Sequence, residues 1–330
     1  MERLWRPRTR PAWHATGRPA PAPSSSPSTS PSSCVSAADL RAFDTAGFVV
    51  LKGAVPPDLL GKVRYVLERW EGNELAKWVA EGKLEPSTAP GAAAWQVLPF
   101  ESRLVSLWDQ AGRPSYSRSP RRDLVCSEMY GIHTHPALTS VAAALCNVDL
   151  GGGEALMSHP VFNGRPKLPA QIWTDTPWHQ DAQYYSDAKD VSHPVVSMWI
   201  PLQPAREATG TCMQLAGGWQ AGSSGAPPLY EGWSDPETGF LGIEPAVQAT
   251  LTAVSAEMDP GDLLCFHQLV PHRALPNTSG EVRWALDVRY EAAAGATKRS
   301  AVEGWVARGP QVLSEEDWLA IWDDIPAGSY

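Results

Sequence analysis

Residues 258–290 read MDPGDLLCFHQLVPHRALPNTSGEVRWALDVRY, and they hold two strand patterns separated by turns. The DPGD sequence at 259–262 predicts a turn, and the apolar residues 263–266 after it predict a short buried strand. Apolar and polar residues then alternate from 282 to 290, which is the period of a strand with one buried face. The segment 196–202 alternates in the same way. Several short strands separated by Gly and Pro predict a β-sandwich or barrel.

The N-terminal half predicts helices that pack outside this barrel. Ser36, followed three residues later by Asp39, is typical of a helix start, and Gly47 is typical of a helix end. The other expected elements are a strand at 48–51, a helix from Pro57, a helix from Pro136 to about Cys146, and a final helix from Glu315. The expected fold is therefore mainly β with flanking helices.

The composition excludes several classes of protein. Hydrophobic residues make up 43% and charged residues 19% of the 330 residues, which is enough for a sizeable core. No apolar run reaches the ~18 residues of a membrane-spanning helix. The net charge is −9, and residues 1–33 alone carry +4, so the rest carries −13 (−9 minus +4). An acidic body disfavours nucleic-acid binding, and five scattered cysteines disfavour a disulfide scaffold.

Residues 1–34 differ from the rest of the chain. They are rich in Arg, Pro and Ser and hold little that a core could bury, so we expect a disordered leader and one domain over residues 35–330. This composition is also typical of organelle transit peptides, although its prolines oppose a mitochondrial amphipathic helix. The expected location is intracellular, either cytoplasmic or in an organelle, and a tail without function is an equally good interpretation.

Trp178-His179-Gln180-Asp181 contains the first candidate metal ligands. In an extended segment, His179 and Asp181 project from the same face, one pleat apart. An imidazole and a carboxylate in this arrangement can occupy two adjacent positions on a metal. A second histidine would complete a 2-His-1-carboxylate triad, which leaves open positions on Fe(II). The tripeptide alone is a weak signal, because chance and surface turns produce it often.

Two further histidines, His267 and His272, lie in the segment quoted first, and Arg283 follows the second by eleven residues. A guanidinium near a metal suits bidentate binding of a carboxylate, such as that of an oxo-diacid. The alternation places Arg283 on the polar face of its strand with Asp287 and Arg289, which suits the interior of a ligand-holding barrel. An exposed face or a surface salt bridge predicts the same pattern.

Taken in order, these segments resemble the phytanoyl-CoA dioxygenase family of Fe(II)/2-oxoglutarate oxygenases over roughly residues 35–322. The matching elements are the helix and strand of 38–51 with Gly47-Phe48-Val49-Val50-Leu51, Pro177-Trp178-His179-Gln180-Asp181, the strand 196–202, Gly210-Thr211-Cys212-Met213-Gln214, Pro260-Gly261-Asp262-Leu263, His272 with Pro276-Asn277, and Arg283. Each element is weak alone, and their order and spacing together are specific.

The resemblance implies a double-stranded β-helix, a cupin-like jelly-roll barrel, preceded by N-terminal helices. It implies that His179, Asp181 and His272 bind Fe(II). Arg283 would pair with the distal carboxylate of 2-oxoglutarate, and Trp199 would line the same pocket. With 2-oxoglutarate and O2 as cosubstrates, the enzyme would hydroxylate a C–H bond of a small organic substrate and release succinate and CO2. No catalytic residue beyond these ligands, and no protein partner, is implied.

The chain departs from the family pattern near the cosubstrate. The family often has a serine two residues after the distal histidine, where its hydroxyl helps to hold 2-oxoglutarate, and this chain has Ala274. The residue that assists Arg283 is therefore left open. Thr209-Gly210-Thr211-Cys212 and Ala216-Gly217-Gly218-Trp219 replace the usual Asn-Gly-Cys and Pro-Gly-Ser-His sequences. The carboxylate ligand is present, which disfavours the halogenase variant of the family.

Two sets of histidines have structural interpretations beside functional ones. His267 competes with His272 for the metal, and the spacing to Arg283 favours His272. His133 and His135 have metal-like spacing, but no carboxylate lies beside them in the sequence and a helix is expected to start at the next residue. A structural role is the better interpretation for this pair.

Four further residues near the His-x-Asp segment are candidates for the pocket. Arg165 and Lys167 are more often solvated loop charges than contacts of 2-oxoglutarate or of an anionic substrate. Tyr184 and Tyr185 lie on opposite faces of the strand expected to continue after Asp181, so only one of them can point inward.

Two other functions use the same residues. A metal enzyme independent of 2-oxoglutarate would bind metal and would not need Arg283. A noncatalytic barrel that binds a ligand or a protein would keep its function after His179→Ala. No basic patch or phosphate-binding loop in the sequence marks an acyl-CoA pocket.

Overall fold

The computed structural model describes residues 35–86, 97–114, 121–171, 175–185, 193–217, 229–230, 232–236 and 239–323. The predicted leader, residues 1–34, lies outside these ranges, and its disorder and its role in targeting stay predictions. Within the described ranges, no helix combines the length and the hydropathy that crossing a bilayer requires.

Helices form most of the first half of the described chain. Helix α1 (Ala37–Ala46) starts where the Ser36 Oγ accepts the Asp39 N–H and the Asp39 carboxylate accepts the Ser36 N–H, and it ends at Gly47 with φ of 77°. This capping box and left-handed glycine confirm the predicted ends. The other helices are α2 (Pro57–Ala80), α3 (Phe100–Gln110), α4 (Arg121–Leu124), α5 (Ser127–His133), α6 (Pro136–Leu145), α7 (Pro245–Gln248), α8 (Lys298–Glu303) and α9 (Glu315–Asp323).

Antiparallel sheets form the centre of the fold. Their strands are β1 (Phe48–Leu51), β2 (Leu156–Ser158), β3 (Asn163–Gly164), β4 (Val196–Pro201), β5 (Met213–Ala216), β6 (Trp233–Ser234), β7 (Leu241–Gly242), β8 (Ala253–Ala256), β9 (Leu263–His267), β10 (His272–Ala274), β11 (Ala285–Ala292) and β12 (Trp305–Arg308). The larger sheet has the order β1-β9-β4-β11-β2-β12, with β3 also paired to β11. The smaller sheet has the order β10-β5-β8, and β6 pairs with β7.

Successive residues of β4 and β11 point to two different cores. Met198 and Leu286 pack in the core between the larger sheet and the helices. Trp199 and Ala285 pack instead with Leu215 of the smaller sheet, so this second core lies between the two sheets. The period-two prediction is confirmed. The fold is mainly β, with two facing antiparallel sheets and N-terminal helices, as the sequence predicts.

The expected strand through the His-x-Asp segment is wrong. Only His179 makes a β-bridge, and the chain turns into a 3₁₀ helix at Asp181–Tyr184. The turn is stabilised by Gln183, whose side-chain oxygen accepts the Gln180 N–H at 2.8 Å. Side-chain capping of this kind competes with a strand ladder for the backbone donor.

The predicted start of the last long strand is also wrong. β11 begins at Ala285, and Arg283 lies before it in an isolated bridge opposite Lys167. Between them, the Trp284 N–H donates to the side-chain oxygen of Gln203 at 2.8 Å. This side-chain partner replaces a ladder hydrogen bond and interrupts the strand.

Gly210 lets its segment of the chain pass very close to the segment that follows β10. Its φ is 65°, and a Cβ placed there would lie 1.7 Å from the Pro276 carbonyl oxygen. The Thr278 N–H donates to the Thr209 carbonyl oxygen at 2.9 Å and joins the two segments. A residue without a side chain is therefore required at position 210.

Gly210→Ala is expected to lower the free energy of unfolding by about 2–4 kcal/mol, because its methyl group meets a backbone atom and its conformation is left-handed. Gly72→Ala in α2 is the matched control. Open space surrounds Gly72, and alanine in a helix interior is expected to add about 0.5–1 kcal/mol. Urea denaturation of both variants measures the difference, and equal stabilities would contradict the steric argument.

Candidate active site

His179, Asp181 and His272, the three predicted metal ligands, come together in the fold. They are 8%, 4% and 3% exposed, and one ligand atom of each lies within 4.8 Å of the others. The His272 Nε2 is 3.9 Å from the Asp181 Oδ1, and the two imidazole centroids are 4.1 Å apart. No second group of His, Cys, Asp or Glu has this spacing in the part of the chain that the structure describes.

Backbone pairing holds the two histidines side by side. The N–H of each donates to the carbonyl of the other, at 3.0 and 2.9 Å. Each Nδ1 lies against a backbone carbonyl oxygen, that of Pro177 for His179 (2.8 Å) and that of Val270 for His272 (2.9 Å). Because a carbonyl oxygen can only accept, Nδ1 carries the proton in both rings, and Nε2 keeps a lone pair for a metal.

Burial keeps both imidazoles neutral. It lowers the pKa of His179 to about 3, with the nearby His272 adding to the effect, and it also lowers the pKa of His272. Only the neutral ring can coordinate a metal through its lone pair. Both histidines are therefore in the metal-binding form at physiological pH.

The carboxylate of Asp181 is held by Arg289, a contact that the sequence analysis missed. The Arg289 Nε and Nη2 donate to its two oxygens at 3.0 and 3.2 Å, and the Ser197 hydroxyl donates to Oδ2. Burial alone would raise the pKa of Asp181, but the Arg289 guanidinium together with the adjacent His272 and His179 outweighs it and holds this pKa well below its usual range. The carboxylate is therefore charged in the folded protein.

Arg289 belongs to a row of buried charged side chains along the polar face of β11. Its Nη1 donates to Asp287 at 2.7 Å, and the other Asp287 oxygen accepts from the Arg165 Nε at 3.0 Å. Asp287 and Arg289 are each 4% exposed. The polar face predicted from the alternation thus lies inside the fold, and the exposed-face interpretation is wrong.

Arg283 is buried without a counterion in the described part of the chain. It is 6% exposed, and its Nε has no hydrogen-bond partner among the described residues. Its guanidinium carbon lies 5.3 Å from the centroid of the Trp199 ring. Burial, and next to it the charge of Arg165, lower the pKa of Arg283 to about 10, so the group is still charged at neutral pH. Because a buried unpaired cation is costly, this position suits an anionic ligand.

The expectation of solvated loop charges is wrong for Lys167. It is 2% exposed, and its Nζ lies 2.7 Å from the Asp175 Oδ1. Arg165 is half-buried, and its charge adds to the effect of burial in lowering the pKa of Arg283, His179 and His272. Both side chains turn inward because their segment pairs with β11 and with the residues just before it. The Arg165 N–H donates to the carbonyl oxygen of Ala285 at 2.8 Å.

The contacts of His133 and His135 agree with a structural role. The His133 Nδ1 is 2.8 Å from the Ser158 hydroxyl oxygen, and burial lowers the pKa of His133 to about 3. The His135 Nδ1 accepts the Ala137 N–H at 3.1 Å and caps the start of α6. Neither histidine belongs to the group of His179, Asp181 and His272.

His267 and the two tyrosines complete the predicted candidates. His267 is buried at the end of β9, where its Nδ1 accepts the Leu269 N–H at 3.1 Å. Tyr185 is buried against His159, with ring centroids 4.5 Å apart, whereas Tyr184 is exposed. One tyrosine therefore points inward, as expected, although the segment is a 3₁₀ helix and not a strand.

Comparisons with known proteins agree on one family and one fold. The family described as Phytanoyl-CoA dioxygenase (PhyH) matches residues 43–285. The 1-deoxypentalenic acid 11-beta-hydroxylase of Streptomyces arenae is 31% identical over 134 residues, and its namesake of Streptomyces exfoliatus is 27% identical over 135. Each match covers 39% of this chain and 46% of the relative, so the chain spans about half the length of these relatives.

A solved structure supports the same fold. The non-heme monooxygenase ThoJ superposes with a TM-score of 0.50 at 20% sequence identity. The superposition covers 87% of this chain and 93% of ThoJ. At this identity the likeness concerns the fold alone.

Proposed function

The chain belongs to the phytanoyl-CoA dioxygenase family, and on this premise we propose that it is a nonheme iron dioxygenase. Its reaction is the hydroxylation of a C–H bond in a small organic substrate, with 2-oxoglutarate and O2 consumed and succinate and CO2 released. The observation that carries the proposal is the convergence of three candidate ligands in a fold that also buries Arg283, whose guanidinium has no counterion among the described residues.

The donor set fits Fe(II). Two neutral imidazoles and one charged carboxylate would form a facial triad on the metal and would leave positions open for a cosubstrate and O2. His179 and His272 would hold the metal through Nε2, and Asp181 through an oxygen. When bound, the metal and its cosubstrate supply the oxidising chemistry that C–H hydroxylation requires. Asp181 has no proton to release on binding, because Arg289 keeps its carboxylate charged.

The residues around Arg283 fit the cosubstrate. Its guanidinium would bind the distal carboxylate of 2-oxoglutarate through two parallel hydrogen bonds. The Trp199 ring under the guanidinium would keep this planar group in one orientation. Phe266, with its ring centroid 4.5 Å from that of His272, adds an apolar wall that excludes water.

The curated relatives support a small-molecule substrate. Both are named as hydroxylases of 1-deoxypentalenic acid. We carry over the reaction class, which is hydroxylation of a small organic compound, and not the compound itself, because a shared fold does not determine a substrate.

Anaerobic titration of the purified protein with Fe(II) and then 2-oxoglutarate tests the proposal. We expect a visible charge-transfer band that saturates with 2-oxoglutarate, because the open positions of the triad accept a chelating oxo-acid. Iron binding without a band at saturating 2-oxoglutarate would favour a metal enzyme with another cosubstrate. Absence of iron binding would favour a noncatalytic barrel.

A further inference from the structure

We propose that Lys167 is a second cationic contact for the distal carboxylate of 2-oxoglutarate, beside Arg283. This inference rests on the proposed cosubstrate. Lys167 would be the residue that assists Arg283, since Ala274 stands where the family often has a serine hydroxyl.

The backbone places the two cations directly opposite each other. The Lys167 N–H donates to the Arg283 carbonyl, and the Arg283 N–H donates to the Lys167 carbonyl, both at 3.0 Å. Residues paired in this way across an antiparallel bridge project their side chains from the same face, with Cβ atoms about 5 Å apart. Lys167 and Arg283 are therefore immediate neighbours on one face.

The burial of both side chains makes this arrangement costly without an anion. Lys167 is 2% and Arg283 is 6% exposed. Like charges directly opposite across a bridge repel each other, and a low-dielectric site strengthens the repulsion. Burial, followed by the charge of Arg283, lowers the pKa of Lys167 to about 8, which leaves the ammonium charged at neutral pH. Two buried cations at one place suit a ligand with a carboxylate.

One carboxylate, that of Asp175, balances only half of this charge among the described residues. Its Oδ1 is 2.7 Å from the Lys167 Nζ, and a single contact of this kind can use only one of the three N–H donors of the ammonium. The ammonium thus has N–H donors to offer to a ligand. Among the described residues, no carboxylate lies within ion-pair distance of Arg283. One further negative charge would therefore neutralise the two cations, Lys167 and Arg283.

Asp175 also belongs to a segment that is hydrogen-bonded to Ala274. The Ala274 N–H donates to the carbonyl of Thr176 at 3.0 Å, and Thr176 follows Asp175 in the chain. The segment that carries the partner of Lys167 therefore lies against the strand position where a serine hydroxyl would otherwise stand. The Ala274 methyl group cannot donate a hydrogen bond, and the Lys167 ammonium supplies the missing donor.

The test compares Lys167→Met with the wild type in the Fe(II)-loaded protein without O2. Two ligands are titrated by their charge-transfer bands: 2-oxoglutarate, and 2-oxopentanoate, which has the same chain length and no distal carboxylate. We expect Lys167→Met to weaken 2-oxoglutarate binding on the order of 10–100-fold, the effect of a buried charge-assisted hydrogen bond. Binding of 2-oxopentanoate should change by less than about threefold, since the contact concerns only the distal carboxylate.

Asp175→Asn separates a ligand contact from a structural ion pair. If Lys167 only pairs with Asp175, both variants break the pair and weaken 2-oxoglutarate binding alike. If Lys167 binds the ligand, Asp175→Asn frees the ammonium and is expected to keep or tighten 2-oxoglutarate binding. Lys167→Gln replaces the methionine variant if the latter does not fold.

Three results would overturn the inference: unchanged 2-oxoglutarate binding in the Lys167 variant, an equal loss for both oxo-acids, or equal weakening by the Asp175 variant. The first of these would assign Lys167 to another anion, such as a group on the primary substrate. Failure of the proposed function is distinguishable, because the wild-type protein itself would then give no band with 2-oxoglutarate.

Discussion

His272→Ala is expected to abolish Fe(II) binding, with a loss of affinity greater than about 100-fold. Removing a group that merely contacts a metal ligand costs on the order of 10–100-fold, and this variant removes one of the three proposed ligands. The Nε2 of His272 is the atom that faces Asp181, at 3.9 Å from its Oδ1. Anaerobic calorimetric titration with Fe(II) measures the affinity, and the absorption spectrum with Co(II) reports the coordination.

His267→Ala is the matched control for this variant. His267 lies five residues earlier and is equally buried, at 3%. Its Nδ1 accepts the Leu269 N–H at 3.1 Å, and it does not belong to the group formed by His179, Asp181 and His272. We expect this variant to keep its Fe(II) affinity within about threefold, although its loss of packing lowers stability. If His267→Ala loses iron and His272→Ala retains it, the assignment of the distal ligand is wrong.

Arg289→Met is expected to lower the free energy of unfolding by about 3–5 kcal/mol. Its guanidinium is bonded to two buried carboxylates, those of Asp181 and Asp287, and the variant leaves both without their shared cation. Breaking a buried ion pair from one side costs this much because the remaining charge is uncompensated. Urea denaturation with a chelator present measures the stability of the metal-free protein.

Arg165→Met is the control on the other side of Asp287. The Arg165 side chain is 30% exposed, and Asp287 keeps its bonds to Arg289 and Asn163 when it is removed. We expect a loss of about 1 kcal/mol. Arg289→Lys should fall between the two, because one ammonium cannot bond both carboxylates as a guanidinium does. Equal losses from both methionine variants would contradict the electrostatic argument.

Features that depend on neighbouring residues were predictable from the sequence. The capping box of Ser36 and Asp39, the end of α1 at Gly47, and the alternation of β4 and β11 are all confirmed. These features follow from local geometry and from the period of a half-buried strand. The candidate metal ligands lie in two distant segments of the sequence, and the order of the family's motifs is sufficient to associate them.

Where side chains competed for the backbone, prediction from the sequence was wrong. The alternation around His179 predicted a strand, but the Gln183 side chain takes the Gln180 N–H and favours a 3₁₀ helix. Likewise, the Gln203 side-chain oxygen accepts the Trp284 N–H, so β11 begins only at the next residue. Such contacts involve single side chains, and they leave no periodic pattern in the sequence.

The sequence by itself determined the alternating strands, the capped helix and the identity of the candidate ligands, because each depends on residue type and local spacing. Only the tertiary structure decided which charges meet inside. Arg289 reaches Asp181 across 108 residues, and Lys167 lies opposite Arg283 rather than in solvent. The position of Arg289 on β11 and the Lys167–Arg283 bridge both depend on the register of their pairing, since a shift of one residue turns every side chain to the opposite face. Neither segment alone carries that register.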